Sequence, residues 1–120
     1  MIGSNNTGHL MQAPAEVAAG VRKILDLILE YTPDAKVVLH GVFPRGRTSV
    51  DEGRLNNIAI NDIIRSYADG EKIVYSDIAH AFLEEDNSIA ESVMPDSLHL
   101  SEEGYRRWAE ELKKVLDGMM

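Results

Sequence analysis

The sequence predicts an α/β fold in which a parallel sheet lies between layers of helices. Three segments have the apolar spacing of amphipathic helices, and two short apolar segments between them have the composition of buried strands. Helices that alternate with such strands indicate βαβ units, because parallel strands need a crossover connection. The length of 120 residues allows one domain of this kind and not two.

The first helix is predicted over residues 14–31. Pro14 suits the first turn of a helix, where its missing N–H needs no partner. Pro33 ends the helix, because the residue before a proline avoids helical angles. The predicted core face repeats at helical spacing and consists of Val17, Val21, Ile24, Leu25 and Ile28.

The middle of the chain alternates between strand and helix patterns. Residues 36–43 are nearly continuously apolar, which predicts a strand buried on both faces of a parallel sheet. Residues 54–68 return to helical spacing, and residues 72–78 predict a second strand. The core face of this second helix is predicted to consist of Leu55, Ile60, Ile63, Ile64 and Tyr67.

The last helix is predicted to begin after Ser101. A serine at this position caps the first turn, and the carboxylates of Glu102 and Glu103 complement the positive end of the helix dipole. The predicted core face consists of Tyr105, Trp108, Leu112, Val115 and Leu116.

The number of strands is small for this fold class. Two complete strands leave a buried type of strand at an edge, where it can pair with another chain. The strand count therefore indicates an incomplete domain.

Composition excludes several classes of function. The formal net charge of -8 argues against nucleic-acid binding, which needs a basic face, and against adhesion to anionic membranes. No apolar run approaches the roughly 20 residues that cross a bilayer, so we expect no membrane insertion. The chain has no cysteine, which excludes disulfides, thiolate metal sites and a cysteine nucleophile. The compartment is left open.

An aspartate and a histidine stand three residues apart just before the last helix, at Asp96 and His99. The carboxylate can accept a hydrogen bond from one imidazole nitrogen, which leaves the other nitrogen to act as a general base toward a serine hydroxyl. The alternative is an ordinary loop in which Leu98 and Leu100 pack inward while Asp96 and His99 face water.

A second pattern lies at the start of the chain, in Gly3, Ser4, Asn5 and Asn6. Glycine allows a sharp exit from a strand, and an asparagine N–H after it can stabilise a developing oxyanion. The alternative is a turn stabilised by asparagine side chains.

Together these motifs resemble the SGNH/GDSL hydrolases, most closely the branch of platelet-activating-factor acetylhydrolase catalytic subunits and bacterial acetylesterases. Residues 3–6 match the third block of that family, residues 43–46 (FPRG) match a turn of that branch, and residues 96–105 match the fifth block. The resemblance covers essentially the whole chain. It implies a flavodoxin-like three-layer α/β/α fold and a serine ester hydrolase acting on small acyl esters, with acetyl esters as the expected class.

The resemblance also implies roles for single residues. His99 would be the general base and then the acid that protonates the leaving alcohol, Asp96 would orient His99, and Asn5 would donate to the oxyanion.

Three further residues are expected near the substrate pocket: Gly3, Asn6 and Arg45. Arg45 either borders the acyl or leaving-group pocket or holds its own loop through backbone contacts.

The chain departs from the family in lacking two blocks: none of its serines stands in a Gly-Asp-Ser setting, and the second block, whose glycine N–H is another oxyanion donor, is missing as well. We therefore expect residues 1–120 to be the C-terminal portion of a single SGNH domain whose N-terminal strands are missing, and this chain alone to be inactive. The partners expected are a small ester substrate and either the missing N-terminal segment or a second copy of the chain. The alternative is an inactive fragment that acts through self-association or strand exchange.

No cofactor and no metal are expected. The remaining histidines show no metal-ligand spacing, and they are His9, His40 and His80.

Overall fold

A computed structural model describes residues 3–4 and 12–119 of the chain. These residues contain three α-helices and two β-strands. In chain order they are α1 (Pro14–Tyr31), β1 (Val37–His40), α2 (Glu52–Ile64), β2 (Ile73–Ser76) and α3 (Glu102–Met119). Short 3-10 turns follow α2 and β2, at Arg65–Tyr67 and Ala79–Ala81.

The two strands are parallel, with Val37 beside Ile73 and His40 beside Ser76. On one face of the sheet, α1 and α2 pack against it in a common apolar cluster. On the other face, His40 contacts Trp108 of α3, next to a second apolar cluster. Helices therefore cover both faces, and the predicted α/β/α arrangement is confirmed.

β1 is shorter than predicted and less buried. The strand ends at His40. Gly41 still donates its N–H to the carbonyl of Ser76, but Val42 forms both of its backbone hydrogen bonds with the side chain of Asn61. The residues of β1 are half-buried. The expectation of a strand buried on both faces was wrong, since the sheet of the described residues has two strands and is too narrow to enclose either of them.

The helix patterns predicted the burial of some residues correctly and the burial of others wrongly. Val17, Val21, Leu25, Ile60 and Ile64 are buried as predicted. Four predicted core residues are instead 41–52% exposed, and these are Ile24, Leu55, Tyr105 and Leu116. Ile24 and Leu55 lie beside the buried stripes of α1 and α2, whereas Tyr105 and Leu116 lie on α3, in which Gly104 is the only buried residue.

The start of α3 is capped as predicted. The hydroxyl of Ser101 accepts a hydrogen bond from the N–H of Gly104 at 3.1 Å and donates to the carbonyl of Ser92. Gly104 is needed there, because a Cβ atom would lie 2.7 Å from the carbonyl oxygen of Val93. The cap therefore joins the helix to the loop that precedes it.

A hydrogen bond between His40 and Trp108 joins α3 to the sheet. The indole N–H donates to Nε2 of His40 at 3.1 Å, and the two rings meet edge to face. Burial lowers the pKa of His40, because the charged imidazolium loses solvation there. His40 must stay neutral to accept this hydrogen bond.

We predict that His40 makes the stability of the fold depend on pH. Its pKa is lower in the folded chain than the ordinary value of about 6.5, so the unfolded chain binds the extra proton first as the pH falls. The free energy of unfolding should therefore decrease between pH 7.5 and pH 5.5. In His40→Gln, which keeps an acceptor but cannot titrate, the decrease should be smaller. Urea unfolding can be followed by the fluorescence of Trp108, the only tryptophan.

The matched control is His80→Gln, because His80 is an exposed histidine that contacts Glu111 rather than the core. An equal pH dependence in the wild type and in His40→Gln would contradict the role of His40.

Candidate active site

Asp96 and His99 form a closed turn. One carboxylate oxygen, Oδ1, accepts the backbone N–H groups of Leu98 at 3.0 Å and His99 at 2.7 Å. The other, Oδ2, lies 2.6 Å from Nδ1 of the His99 ring. The predicted contact between Asp96 and His99 is present, and it uses Nδ1. The nitrogen left for a reacting group is Nε2.

The electrostatics of the turn favour an ionised Asp96. The hydrogen bond from the His99 ring lowers the pKa of Asp96 most, and the backbone N–H groups of His99 and Leu98 lower it further. The hydrogen bond to Oδ2 of Asp96 holds a proton on Nδ1 of His99, so that Nε2 of the neutral ring carries a lone pair. The side chain of His99 is 75% exposed, so Nε2 can be reached from solvent.

Ser97, between the two, has a left-handed backbone with φ of 63°. This conformation is unfavourable for a residue with a Cβ atom and persists only where neighbouring contacts hold it. Ser97 donates its N–H to the carbonyl of Met94 at 3.1 Å and accepts the N–H of Gly46 at 2.9 Å. The strained turn is therefore held by the segment at residues 44–47, named here the arginine turn.

A buried guanidinium on α2 binds the backbone of the arginine turn. Arg54, on α2, is 3% exposed and donates to the carbonyls of Arg45 at 2.8 Å, Gly46 at 2.9 Å and Asn87 at 2.6 Å. Burial lowers the pKa of Arg54, and the nearby carboxylate of Asp51 acts in the opposite direction. The three carbonyls thus take the place of water around a buried cation.

Gly46 cannot be replaced by a larger residue without moving its neighbours. Its φ is 80°, and a Cβ atom there would lie 2.4 Å from Oδ2 of Asp51. The same carboxylate oxygen accepts the N–H of Thr48 at 2.9 Å. The glycine of the FPRG segment therefore allows the close approach of Asp51.

The other side of the arginine turn holds the beginning of the chain. Arg45 donates from Nη1 to the carbonyl of Ser4 at 2.8 Å. Asn57, which is buried on α2, donates to the carbonyl of Phe43 at 3.0 Å and lies 3.4 Å from the hydroxyl of Ser4. Gly3 packs against Val42 with φ of 103°. Gly3 and Ser4, the described residues of the third block, are therefore neighbours of the FPRG segment.

Three of the residues considered in the sequence lie outside the described residues, namely Asn5, Asn6 and His9. The oxyanion role of Asn5 and the pocket role of Asn6 therefore stay predictions. Gly3 and Arg45 are described, and Arg45 makes the backbone contact that the loop-holding interpretation expects.

A cavity of about 250 Å³ lies next to the arginine turn, between α2 and the segment after β2. Val42, Pro44, Ile58 and Leu83 contribute apolar walls. Neither Asp96 nor His99 lines this cavity, so it is separate from the pair.

The described residues include no group of three or more histidine, aspartate or glutamate side chains that could hold a metal ion. In the same part of the chain, no helix is both long enough and apolar enough to cross a bilayer.

A family model for GDSL-like lipases and acylhydrolases matches residues 1–107. The chain belongs to this family. The resemblance drawn from residues 3–6, 43–46 and 96–105 is confirmed at the level of the family.

Curated relatives of this GDSL-like acylhydrolase chain include platelet-activating factor acetylhydrolase IB subunits. The human alpha1 subunit is 33% identical over 105 residues, which cover 87% of this chain and 44% of the relative. The chicken (Gallus gallus) alpha2 subunit is 29% identical over 116 residues, which cover 96% of this chain and 49% of the relative. The chain thus spans less than half the length of these relatives and matches their C-terminal part.

Solved structures confirm the fold of the GDSL-like chain. A protein of Streptococcus pneumonia described as a platelet activating factor superposes with a TM-score of 0.80 at 17% identity, over 97% of this chain and 57% of the other. The esterase domain of the ORF1 protein from the zebrafish ZfL2-1 retrotransposon superposes with a TM-score of 0.71 at 18% identity, over 98% of this chain and 66% of the other.

Sequence reasoning missed the polar side chains that hold the site. Arg54, Asn57 and Asn61 all project from the inward side of α2 and bond to backbone groups near the end of β1. Their spacing of three and four residues was the available signal, because it places polar groups on the same side as the buried Ile60 and Ile64.

We predict that Ser97→Gly keeps or raises the free energy of unfolding, because glycine adopts a left-handed backbone at little cost. Ser97→Val should lower it by about 1–2 kcal/mol, since a β-branched residue is strained there. Urea unfolding of both variants, followed by Trp108 fluorescence, measures the difference. Ser49→Val, at an exposed site without a positive φ, is the control. Equal losses in the glycine and valine variants would contradict the strain at Ser97.

Proposed function

We propose that the domain to which this chain belongs is a carboxylic ester hydrolase that acts on small acyl esters, specifically acetyl esters. In this proposal His99 is the general base and then the general acid, and Asp96 orients it. Asn5 donates to the oxyanion, and Gly3 and Asn6 border the substrate. Arg45 either borders the substrate as well or holds its loop through its contact with the Ser4 carbonyl. The hydrolase family and the acetylhydrolase names of the relatives support the reaction class.

The observation that carries the proposal is the contact between Oδ2 of Asp96 and Nδ1 of His99, at 2.6 Å. A carboxylate in this position selects the tautomer in which Nε2 can remove a proton from a hydroxyl. It also stabilises the imidazolium that forms when the proton has moved. The chemistry that follows is attack of a serine on the ester carbonyl, loss of the alcohol and hydrolysis of the acyl-enzyme.

We further propose that no serine of this chain is the nucleophile and that the chain alone is inactive. The hydrogen bonds of residues 3–4 and 12–119 include none from a serine hydroxyl to Nε2 of His99. Ser101 is engaged in the cap of α3, and Ser76 is buried in β2. Because the chain matches less than half of its relatives, the serine would come from residues that this chain does not contain.

The test extends the chain at its N-terminus with a serine-bearing segment, taken from upstream in its own gene or from the human alpha1 relative. The extended protein should hydrolyse p-nitrophenyl acetate. His99→Ala should reduce kcat by ~10³-fold or more, because the nucleophile loses its base. His80→Ala, which changes an exposed histidine on another surface, should keep the activity.

Unchanged turnover in His99→Ala would contradict the role of His99. The chain without the extension should not react with a fluorophosphonate, which labels activated serines. Stoichiometric labelling of the chain alone would show that one of its own serines is the nucleophile.

A second candidate function is assembly through the edge of β1 with which no described strand pairs, which would let an inactive fragment complete its sheet with a second copy. β1 pairs with β2 along one edge, and no described strand pairs with the other. The N–H groups of Val37 and Gly41 point toward the β2 side, where they bond to Lys72 and Ser76. By alternation the N–H of Val38 points to the open edge. Such an edge invites pairing with another strand.

For assembly, size-exclusion chromatography with light scattering should detect a dimer whose fraction rises with concentration. Val38→Pro should shift the chain to monomer, since proline removes an N–H from the open edge and leaves the bonds to β2 intact. Leu39→Pro is the control, because its N–H faces β2 and its loss should unfold the sheet. A wild-type chain that stays a folded monomer at every concentration would exclude this candidate.

A further inference from the structure

The Asp96–His99 turn is closed by its own hydrogen bonds, but the left-handed backbone of Ser97 and the position of the turn in the molecule depend on contacts from outside it. Its hydrogen bonds between Asp96, Leu98 and His99 all lie within four residues. Both side chains are more than half exposed, so packing does little to hold them. A general base must nevertheless be placed to well within 1 Å of the group it serves. The contacts that tie this turn to the rest of the chain are therefore of functional interest.

Arg47 supplies contacts on the side of the turn that precedes Asp96. Its guanidinium donates from Nη1 to the carbonyl of Ile89 at 2.5 Å, and from Nη2 to those of Met94 at 3.4 Å and Pro95 at 3.3 Å. Its own carbonyl accepts the N–H of Ile89 at 3.1 Å. Arg47 thus joins two segments of backbone, one of which ends directly before Asp96.

The contact on the other side comes from the residue next to Arg47. Gly46 donates its N–H to the carbonyl of Ser97, the residue directly after Asp96. The carbonyl of Gly46 is bound by the buried guanidinium of Arg54. The loop is therefore held before and after Asp96 by two consecutive residues of the arginine turn, which is itself tied to α2.

Arginine is suited to this task in a way that lysine is not. Its planar guanidinium carries several N–H donors in fixed directions and can bind carbonyls of two segments at once. An ammonium is a compact charge on a flexible stem and fixes the direction of fewer partners.

We propose that Arg47 is a positioning residue of the Asp96–His99 pair, holding the backbone before Asp96 against the arginine turn so that Nε2 of His99 is presented in one place. Arg47 does not touch the reacting atoms and acts through the loop. The role of Arg47 in catalysis rests on the proposed function, whereas the effect of Arg47 on the loop can be measured without any hydrolysis.

The first test uses NMR of this chain with labelled histidines and aspartates. The proton on Nδ1 of His99, in a short hydrogen bond to a carboxylate, should give a strongly low-field signal, assigned by its absence in His99→Gln. In Arg47→Met this signal should be lost to exchange with water. The pKa of Asp96 should rise toward its ordinary value, because the N–H groups that lower it are no longer held in place.

Two variants separate positioning from a general loss of structure. Arg47→Lys keeps the charge and one donor, so its His99 signal should be weakened but present. Arg22→Met removes an exposed arginine of α1 that pairs with Asp26, and should leave the signal unchanged. Trp108 fluorescence reports whether each variant is folded. A folded Arg47→Met or Arg47→Lys with the wild-type His99 signal and the wild-type pKa of Asp96 would overturn the proposal.

The second test uses the N-terminally extended protein. Arg47→Met should lower kcat for p-nitrophenyl acetate by up to ~10²-fold and change KM little, because a displaced base slows the chemical step. A loss of kcat/KM that comes only from a higher KM, with kcat unchanged, would contradict the positioning role of Arg47. If the extended wild-type protein shows no hydrolysis, the proposed function fails while the NMR result still decides the role of Arg47.

Discussion

The buried guanidinium of Arg54 is the contact on which the rest of the site depends. It binds the carbonyls of Arg45 and Gly46 from within the domain, and each hydrogen bond to a charged group contributes about 1.5–3 kcal/mol. From the turn held in this way, Arg45 reaches back to Ser4, while Gly46 reaches forward to the loop of Asp96. Ser4 and the loop of Asp96, which are about 90 residues apart in the sequence, are thereby held by one short segment.

A chain that matches less than half of its relatives can still carry an ordered Asp–His pair, because that pair closes within four residues. The contacts around it come from α2 and the arginine turn, both of which this chain contains. The exposed apolar side chains have another origin. They follow from the narrowness of the sheet, which has two strands in the part of the chain that the structure describes, and this affects the outer surfaces of the helices more than it affects the turn.

The sequence predicted the order of helices and strands because apolar periodicity records which side of each element is buried. It predicted the contact between Asp96 and His99, because the two residues are near neighbours in the chain. It failed at Ile24 and Leu55, since their burial depends on the width of a sheet that no local pattern encodes. The role of Arg54 could not be predicted either, because its carbonyl partners are brought together only by the folded chain.

Arg54 holds the arginine turn and, through it, the loop of Asp96. Amide hydrogen exchange measured on the wild type and on Arg54→Met tests this most directly. We predict that the amides of Gly46 and His99 are protected in the wild type and lose protection in the variant, while the amide of Val21 in α1 keeps most of its protection. Unchanged protection at Gly46 and His99 in the variant would contradict the account.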